Sequence, residues 1–234
     1  MTIQREVTIG DCRLIQADCL DVLPTLEGVD AVVTDPPYGT KAYATDNDAA
    51  VRTILQMCLR KGLGLACFVY PETLANYVLT LNKLPDEWIC WWPTNAHASR
   101  GGTIPRESQH IAIWGDKLDG KHIVRKRSDD QWSKSQAERR GNSAEFCRDG
   151  DVWRTASPGE GFNRHLRHHM NEKPVEVKKR LVGLFVDAHT ICDPFISSGT
   201  TGVACAKLGR RFIGIKIDPG YFDIACERIR EAYR

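Results

Sequence analysis

Asp35-Pro36-Pro37-Tyr38 closes the apolar run of residues 30–34 and sets a carboxylate, two prolines and an aromatic ring side by side. The prolines fix φ and remove two backbone donors, so the carbonyls of Asp35 and Pro36 stand as acceptors with little local competition. A carboxylate and a neighbouring carbonyl can both accept hydrogen bonds from one exocyclic amine, and Tyr38 offers a ring on which a nucleobase stacks. The chemistry these groups suit is the orientation of an amino group on a planar heterocycle. A plain proline turn after a strand is the other reading, and the commoner one for a Pro-Pro pair taken alone.

A second constellation lies near the C-terminus, at Asp193-Pro194-Phe195-Ile196-Ser197-Ser198-Gly199-Thr200-Thr201-Gly202. A strand, a tight turn of small residues and a helix N-terminus let a ligand approach the backbone closely. Any βα connection favours Ser, Gly and Thr as caps, so the turn by itself is weak and gains weight from its neighbours in the chain. The next apolar segment, residues 211–217, completes a βαβ unit, and a nucleoside-like ligand would sit across the carboxyl ends of its two strands.

The elements that must position these residues are legible from periodicity. Short apolar runs predict strands at residues 13–18, 31–35, 65–70, 88–92, 110–114, 190–193 and 211–217. Helical spacing predicts helices over 49–60, 72–82, 174–185, 200–208 and 219–233. The alternation indicates an α/β fold with a largely parallel sheet, and 234 residues suffice for one large domain with a sizeable core. Residues 116–165 break the pattern and read as a long functional insertion.

The formal charge of +2 conceals a basic stretch: Lys121, Arg125, Lys126, Arg127, Lys134, Arg139, Arg140 and Arg148 face only four acids within residues 121–148. Such a stretch suits a polyanion, or it is simply a solvated charged loop. Nine cysteines without a CxxC pair point to a reducing cytoplasm. No apolar run is long enough to cross a bilayer, and no signal-peptide pattern comes after Arg5 and Glu6. His165 and His169 stand four apart, but no cysteine or carboxylate joins them at zinc-ligand spacing, so no metal is expected. Trp88, Trp91 and Trp92 read as a strand packed on both faces.

Taken together, these motifs resemble the DNA amino-methyltransferase family (N6-adenine/N4-cytosine), in its circularly permuted class, where the catalytic tetrapeptide precedes the cofactor loop. Asp35-Pro36-Pro37-Tyr38 matches the tetrapeptide, Asp193 to Thr201 matches the cofactor loop, and His169-Met170-Asn171-Glu172-Lys173-Pro174 matches the motif that closes the cofactor pocket. Ala17-Asp18 resembles the acid facing the adenine of S-adenosylmethionine. The resemblance implies a Rossmann-like S-adenosylmethionine-dependent fold with a seven-stranded, mostly parallel sheet and helices on both faces. It also implies that the strand at 13–18 lies beside the strand at 211–217.

The implied activity is methyl transfer to adenine N6 of a base flipped out of double-stranded DNA, with cytosine N4 as the nearest alternative. Asp in the first motif position favours adenine in this family. C5 methylation would need a cysteine in a Pro-Cys context, and none of the cysteines follows a proline. The implied catalytic residues are Asp35, Pro36, Pro37 and Tyr38. Cofactor contacts are implied at Asp18, Asn171, Lys173, Asp193, Pro194, Phe195, Ser197, Ser198, Gly199, Thr200, Thr201, Lys216 and Asp218. Candidate DNA contacts are Asn95, Ser99, Arg100 and Arg106 in the loop of residues 93–107, and Lys121, Arg125, Lys126, Arg127, Arg139 and Arg140 in the basic segment. Residues 116–165 would read the target, and their brevity predicts a short or permissive one. Double-stranded DNA is the expected partner in the cytoplasm of a bacterial or phage-infected cell; a homodimer is allowed, and the sequence names no restriction endonuclease.

Two positions depart from the family pattern. Ser197 replaces the first glycine of the cofactor loop, which predicts either a projecting side chain or an altered backbone. Lys216 replaces the acid that binds the ribose hydroxyls, a loss of about 1.5–3 kcal/mol unless Asp218, expected on the same strand face, substitutes. A DNA-binding homologue with weak or no cofactor binding is therefore the reading from a different functional class.

Overall fold

Five parallel strands, β2 (Cys12–Gln16), β11 (Arg211–Lys216), β10 (Thr190–Asp193), β3 (Ala31–Thr34) and β4 (Gly64–Val69), lie side by side in that order. All their carboxyl ends therefore fall on one edge. Every residue of β3 and β10 is buried, as expected where helices cover both faces of a parallel sheet. The computed structural model describes residues 3–37, 48–93, 108–115, 118–119, 124–126, 146–148, 151–156 and 172–234.

The sheet has nine strands rather than the seven expected. β1 (Arg5–Ile9) pairs antiparallel outside β2, while β6 (Gln109–Trp114), β5 (Glu87–Pro93) and β9 (Val152–Thr155) extend the opposite side. β6 runs antiparallel to both β4 and β5, and β9 runs parallel to β5. The sheet is thus mixed, with five of eight neighbouring pairs parallel. The two extra strands carry weak sequence signals for a physical reason. β1 is an exposed edge with little apolar character, and β9 is four residues long with Trp153 alone buried. β9 lies within residues 116–165, so that segment contributes to the sheet as well as holding a two-stranded ribbon, β7 (Val124–Lys126) with β8 (Phe146–Arg148).

Helices cover both faces as expected. On one side α4 (Val175–Leu184), α5 (Thr200–Lys207) and α6 (Pro219–Ala232) pack Val177, Leu181, Val203, Phe222, Ala225 and Ile229 into a common core. On the other side α1 (Cys19–Val22), α2 (Asp48–Arg60) and α3 (Pro71–Leu81) bury Val22, Val51, Ile54, Leu55, Cys58 and Tyr77. The chain leaves β10 through α5 toward β11, and leaves β3 through α2 toward β4, on opposite faces and in opposite directions along the sheet. Strand order reverses between β10 and β3, and an open α/β sheet has its crevice at such a point.

The expected neighbourhood of the first and last predicted strands is present: β2 pairs with β11 from Cys12↔Phe212 to Lys216↔Gln16. Trp88 and Trp91 pack as expected, but Trp92 is 41% exposed, with Arg154 5.2 Å over its ring. Among the described residues no helix is long and apolar enough to cross a membrane.

Candidate active site

The crevice between β3 and β10 is built from two aspartates that end adjacent strands. Asp193 closes β10 and is 4% exposed. Its Oδ1 accepts from Thr34 Oγ1 at 2.7 Å and from Phe195 N at 3.1 Å, and its Oδ2 accepts from Thr201 Oγ1 at 2.7 Å. A buried carboxylate is tolerated when such donors surround it. Asp193 thereby ties the end of β3, the turn and the start of α5 into one rigid corner.

Asp35 follows β3 directly. Its Oδ2 accepts from Lys173 Nζ at 2.6 Å, with the two side chains 14% and 6% exposed. The pair joins the strand end to the segment leading into α4, across 138 residues of chain. The Lys173 ammonium also lies 5.3 Å over the Phe68 ring, a cation–π contact from β4.

The turn after β10 owes its shape to Gly199, which has φ +82° and serves as N-cap of α5. A Cβ there would meet Ala225 Cα at 2.9 Å, so both conformation and space exclude a side chain. Gly199→Ala is expected to cost about 1–3 kcal/mol, visible as a lowered Tm in thermal denaturation. Ser197 needs no such allowance, because Asn82 is the only non-glycine residue at positive φ among the described residues. The serine is accommodated with ordinary backbone and lines the cleft.

Arg228 of α6 braces this turn from behind. Nη1 donates to Ser198 O at 2.7 Å, to Ser198 Oγ at 2.6 Å and to Thr200 Oγ1 at 3.2 Å, while Nη2 donates to Glu172 Oε1 at 2.5 Å. Arg228 and Glu172 side chains are 11% and 4% exposed. One guanidinium therefore holds the turn against the residue beside Lys173.

Two further expected positions lie on the same edge. Asp18 follows β2, is exposed, and caps α1 through Leu20 N at 2.9 Å. Lys216 ends β11, half-buried, its Nζ 5.1 Å over the Tyr221 ring; burial lowers its pKa, and Asp218 and Asp193 partly oppose that. Asp218 is not on the strand, which ends at Lys216. It is the N-cap of α6, where its Oδ1 accepts from Tyr221 N at 2.8 Å. Pro219, next in the chain, opens the helix, so the extended backbone at Asp218 leads into α6 instead of continuing the strand.

The cleft itself is lined by Asp35, Lys173, Lys178, Asp193, Phe195, Ser197, Thr200 and Thr201. Pro36 is buried and Pro37 half-buried beside it, while Pro194 and Ser198 are buried in the turn. Lys178 is the lining residue that the motifs do not point to. Val177, Leu181 and Val182 mark the buried stripe of α4, and Lys178 sits within that stripe, four residues before Val182. A lysine at an apolar position of a helix is the signal that would have found it. Arg228 carries no comparable signal, since a charged residue near a C-terminus reads as solvated.

Tyr38, Asn171 and His169 lie outside the described residues, as do Asn95, Ser99, Arg100, Arg106, Lys121, Arg127, Arg139 and Arg140. Arg125 and Lys126 lie on β7. Burial pushes the Cys19 and Cys58 thiols up to about 12 and raises Cys67 and Cys192 well above their ordinary value.

A family model described as DNA methylase matches residues 69–227 of the chain. The type II methyltransferase M.HpaI of Haemophilus parainfluenzae is 26% identical over 244 residues, covering 94% of this chain and 74% of that one. Among solved structures, the complex of M1.HpyAVI with SAM superposes with a TM-score of 0.60 at 16% identity, covering 93% of this chain and 99% of the other. The cytosine-N4-specific PvuII DNA methyltransferase superposes with a TM-score of 0.67 at 13% identity, covering 97% and 90%. These two share the fold.

Proposed function

The chain belongs to the DNA methylase family of N6-adenine and N4-cytosine enzymes, and from this we propose that it methylates adenine N6 in double-stranded DNA using S-adenosylmethionine. The observation that carries the reading is the row of residues on one sheet edge: Asp18, Lys216, the turn after Asp193, and Asp35 end four adjacent parallel strands. At roughly 4.8 Å per strand the row is about 14 Å long, suited to an extended nucleoside joined to an amino acid. The methyl-bearing end would then lie nearest Asp35.

The residues present fit that donor. Gly199 keeps the turn free of a side chain, Phe195 offers an aromatic wall, and the cleft contains a buried ammonium without a partner among the described residues, as expected where a ligand bears a carboxylate. When bound, S-adenosylmethionine supplies an electrophilic methyl group on a sulfonium. Asp35 accepts a hydrogen bond from the target amine, and the Pro36 carbonyl accepts the other. Together they turn the nitrogen lone pair toward the methyl carbon, so positioning does most of the work. Lys173 holds Asp35 Oδ2 and fixes the carboxylate's orientation. Tyr38 is assigned to stacking on the flipped base, which is worth about 1–3 kcal/mol in single-strand binders.

Residues 1–234 act in this proposal as one methyltransferase domain of a cytoplasmic enzyme, with residues 116–165 reading the target. The first residue of the tetrapeptide, Asp35, supports adenine over cytosine. Incubating the protein with labelled S-adenosylmethionine and mixed-sequence DNA, then digesting to nucleosides, is expected to yield N6-methyl-2′-deoxyadenosine. N4-methyl-2′-deoxycytidine would instead select the alternative base. A folded protein that gives no product would favour a DNA-binding homologue with weak cofactor binding, for which Lys216 at the ribose position is the motive.

A further inference from the structure

Lys178 has no part in the proposed transfer, yet it is 2% exposed and lines the cleft beside Asp193, Ser197 and Thr200. Its Nζ has no hydrogen-bond partner among the described residues. Both nearby carboxylates are engaged, Asp193 with Thr34, Thr201 and Phe195 N, and Asp35 with Lys173. Helix α5 starts at this cleft with Gly199 as N-cap and no side chain capping its first amides. A buried ammonium beside an uncapped helix N-terminus is a position for an anion.

We propose that Lys178 binds the α-carboxylate of the methyl donor's amino-acid portion and so determines specificity for a ligand with a zwitterionic end. The proposal rests on the methyltransferase reading of the cleft. Isolation of a buried ammonium is costly, and among the described residues the Phe68 ring offers partial compensation 4.7 Å from Nζ. Burial lowers the lysine's pKa, while Asp193 and Asp35 act against that shift. An arriving carboxylate supplies the missing acceptor at short range. Lys173, by contrast, already donates to the Asp35 carboxylate.

The test is calorimetric titration with three ligands: S-adenosylhomocysteine, its decarboxylated analogue, and 5′-methylthioadenosine, which lacks the amino-acid portion. Wild-type protein is expected to bind S-adenosylhomocysteine roughly 10- to 100-fold more tightly than the decarboxylated analogue, the range for one charged hydrogen bond. In Lys178→Met that preference is expected to vanish, with methylthioadenosine binding unchanged. The variant keeps side-chain volume and removes an isolated charge, so a native Tm is expected; Lys178→Gln provides the same comparison if it does not fold. A folded variant that keeps the full preference overturns the proposal, as does a wild type that binds both ligands equally. A wild type that binds none of the three removes the methyltransferase reading, and this proposal with it.

Discussion

Asp35→Asn is expected to lower methyl transfer about 10²–10³-fold while leaving S-adenosylmethionine binding largely intact. The magnitude is that of removing one preorganised group from a reacting centre. The carboxamide keeps the size of the carboxylate but loses the charge that orients and polarises the target amine. Steady-state methylation of mixed-sequence DNA measures the first effect, and calorimetric titration of the cofactor the second. A complication is built into the site, because Asp35 also neutralises the buried Lys173 ammonium at 2.6 Å. Stranding that lysine is itself destabilising. The double variant Asp35→Asn, Lys173→Met separates the two effects: Tm is expected to recover and methylation is not. Recovery of methylation in the double variant would show that Asp35 acts only by holding Lys173.

The largest stability effect is expected from Arg228→Leu, which removes an ion-pair partner of a glutamate only 4% exposed. Breaking a buried ion pair on one side costs about 3–5 kcal/mol. In a domain of this size that corresponds to a fall in Tm of roughly 6–20 °C. The guanidinium also satisfies the Ser198 carbonyl and the Ser198 and Thr200 hydroxyls, so the loop that faces the cleft loosens with the loss. Cofactor affinity should therefore fall along with Tm. Arg228→Lys keeps the charge without the fork and should show a smaller loss. Pairing Arg228→Leu with Glu172→Gln in a double-mutant cycle isolates the coupling from the general cost of the substitution. Additive effects in that cycle would show that the two residues do not act as a unit.

How much of the fold and site is legible in the sequence depends on where each signal resides. All seven predicted strands and five predicted helices occur within a residue or two of their expected ends, since apolar periodicity is local and these segments are buried. β1 and β9 escape because edge strands are stabilised by their partner: β9 is defined by pairing with β5, whose residues lie some sixty positions earlier. Asp218 is misplaced by extending strand alternation through Pro219, where a helix cap takes over. The catalytic and cofactor motifs are visible because they are contiguous stretches. Arg228 and Glu172 do not stand out, because each acquires its meaning from groups distant in the chain, and Lys178 is marked only by its place in the apolar stripe of α4.

The residues and their order along the chain determined which chemistry this protein can support: an amine-holding aspartate followed by two prolines, and a small-residue turn before a helix. They also determined the class of fold, through alternating strand and helix periods. Only the tertiary structure decided that β3 and β10 are neighbours, so that Thr34 reaches Asp193 across 159 residues and the two halves of the site face one cleft. It likewise decided that the serine at 197 costs no backbone strain, that Lys178 is enclosed there, and that Arg228 braces the turn. Strand pairing and burial are non-local, and the energy of a buried charge depends on what the whole fold places around it.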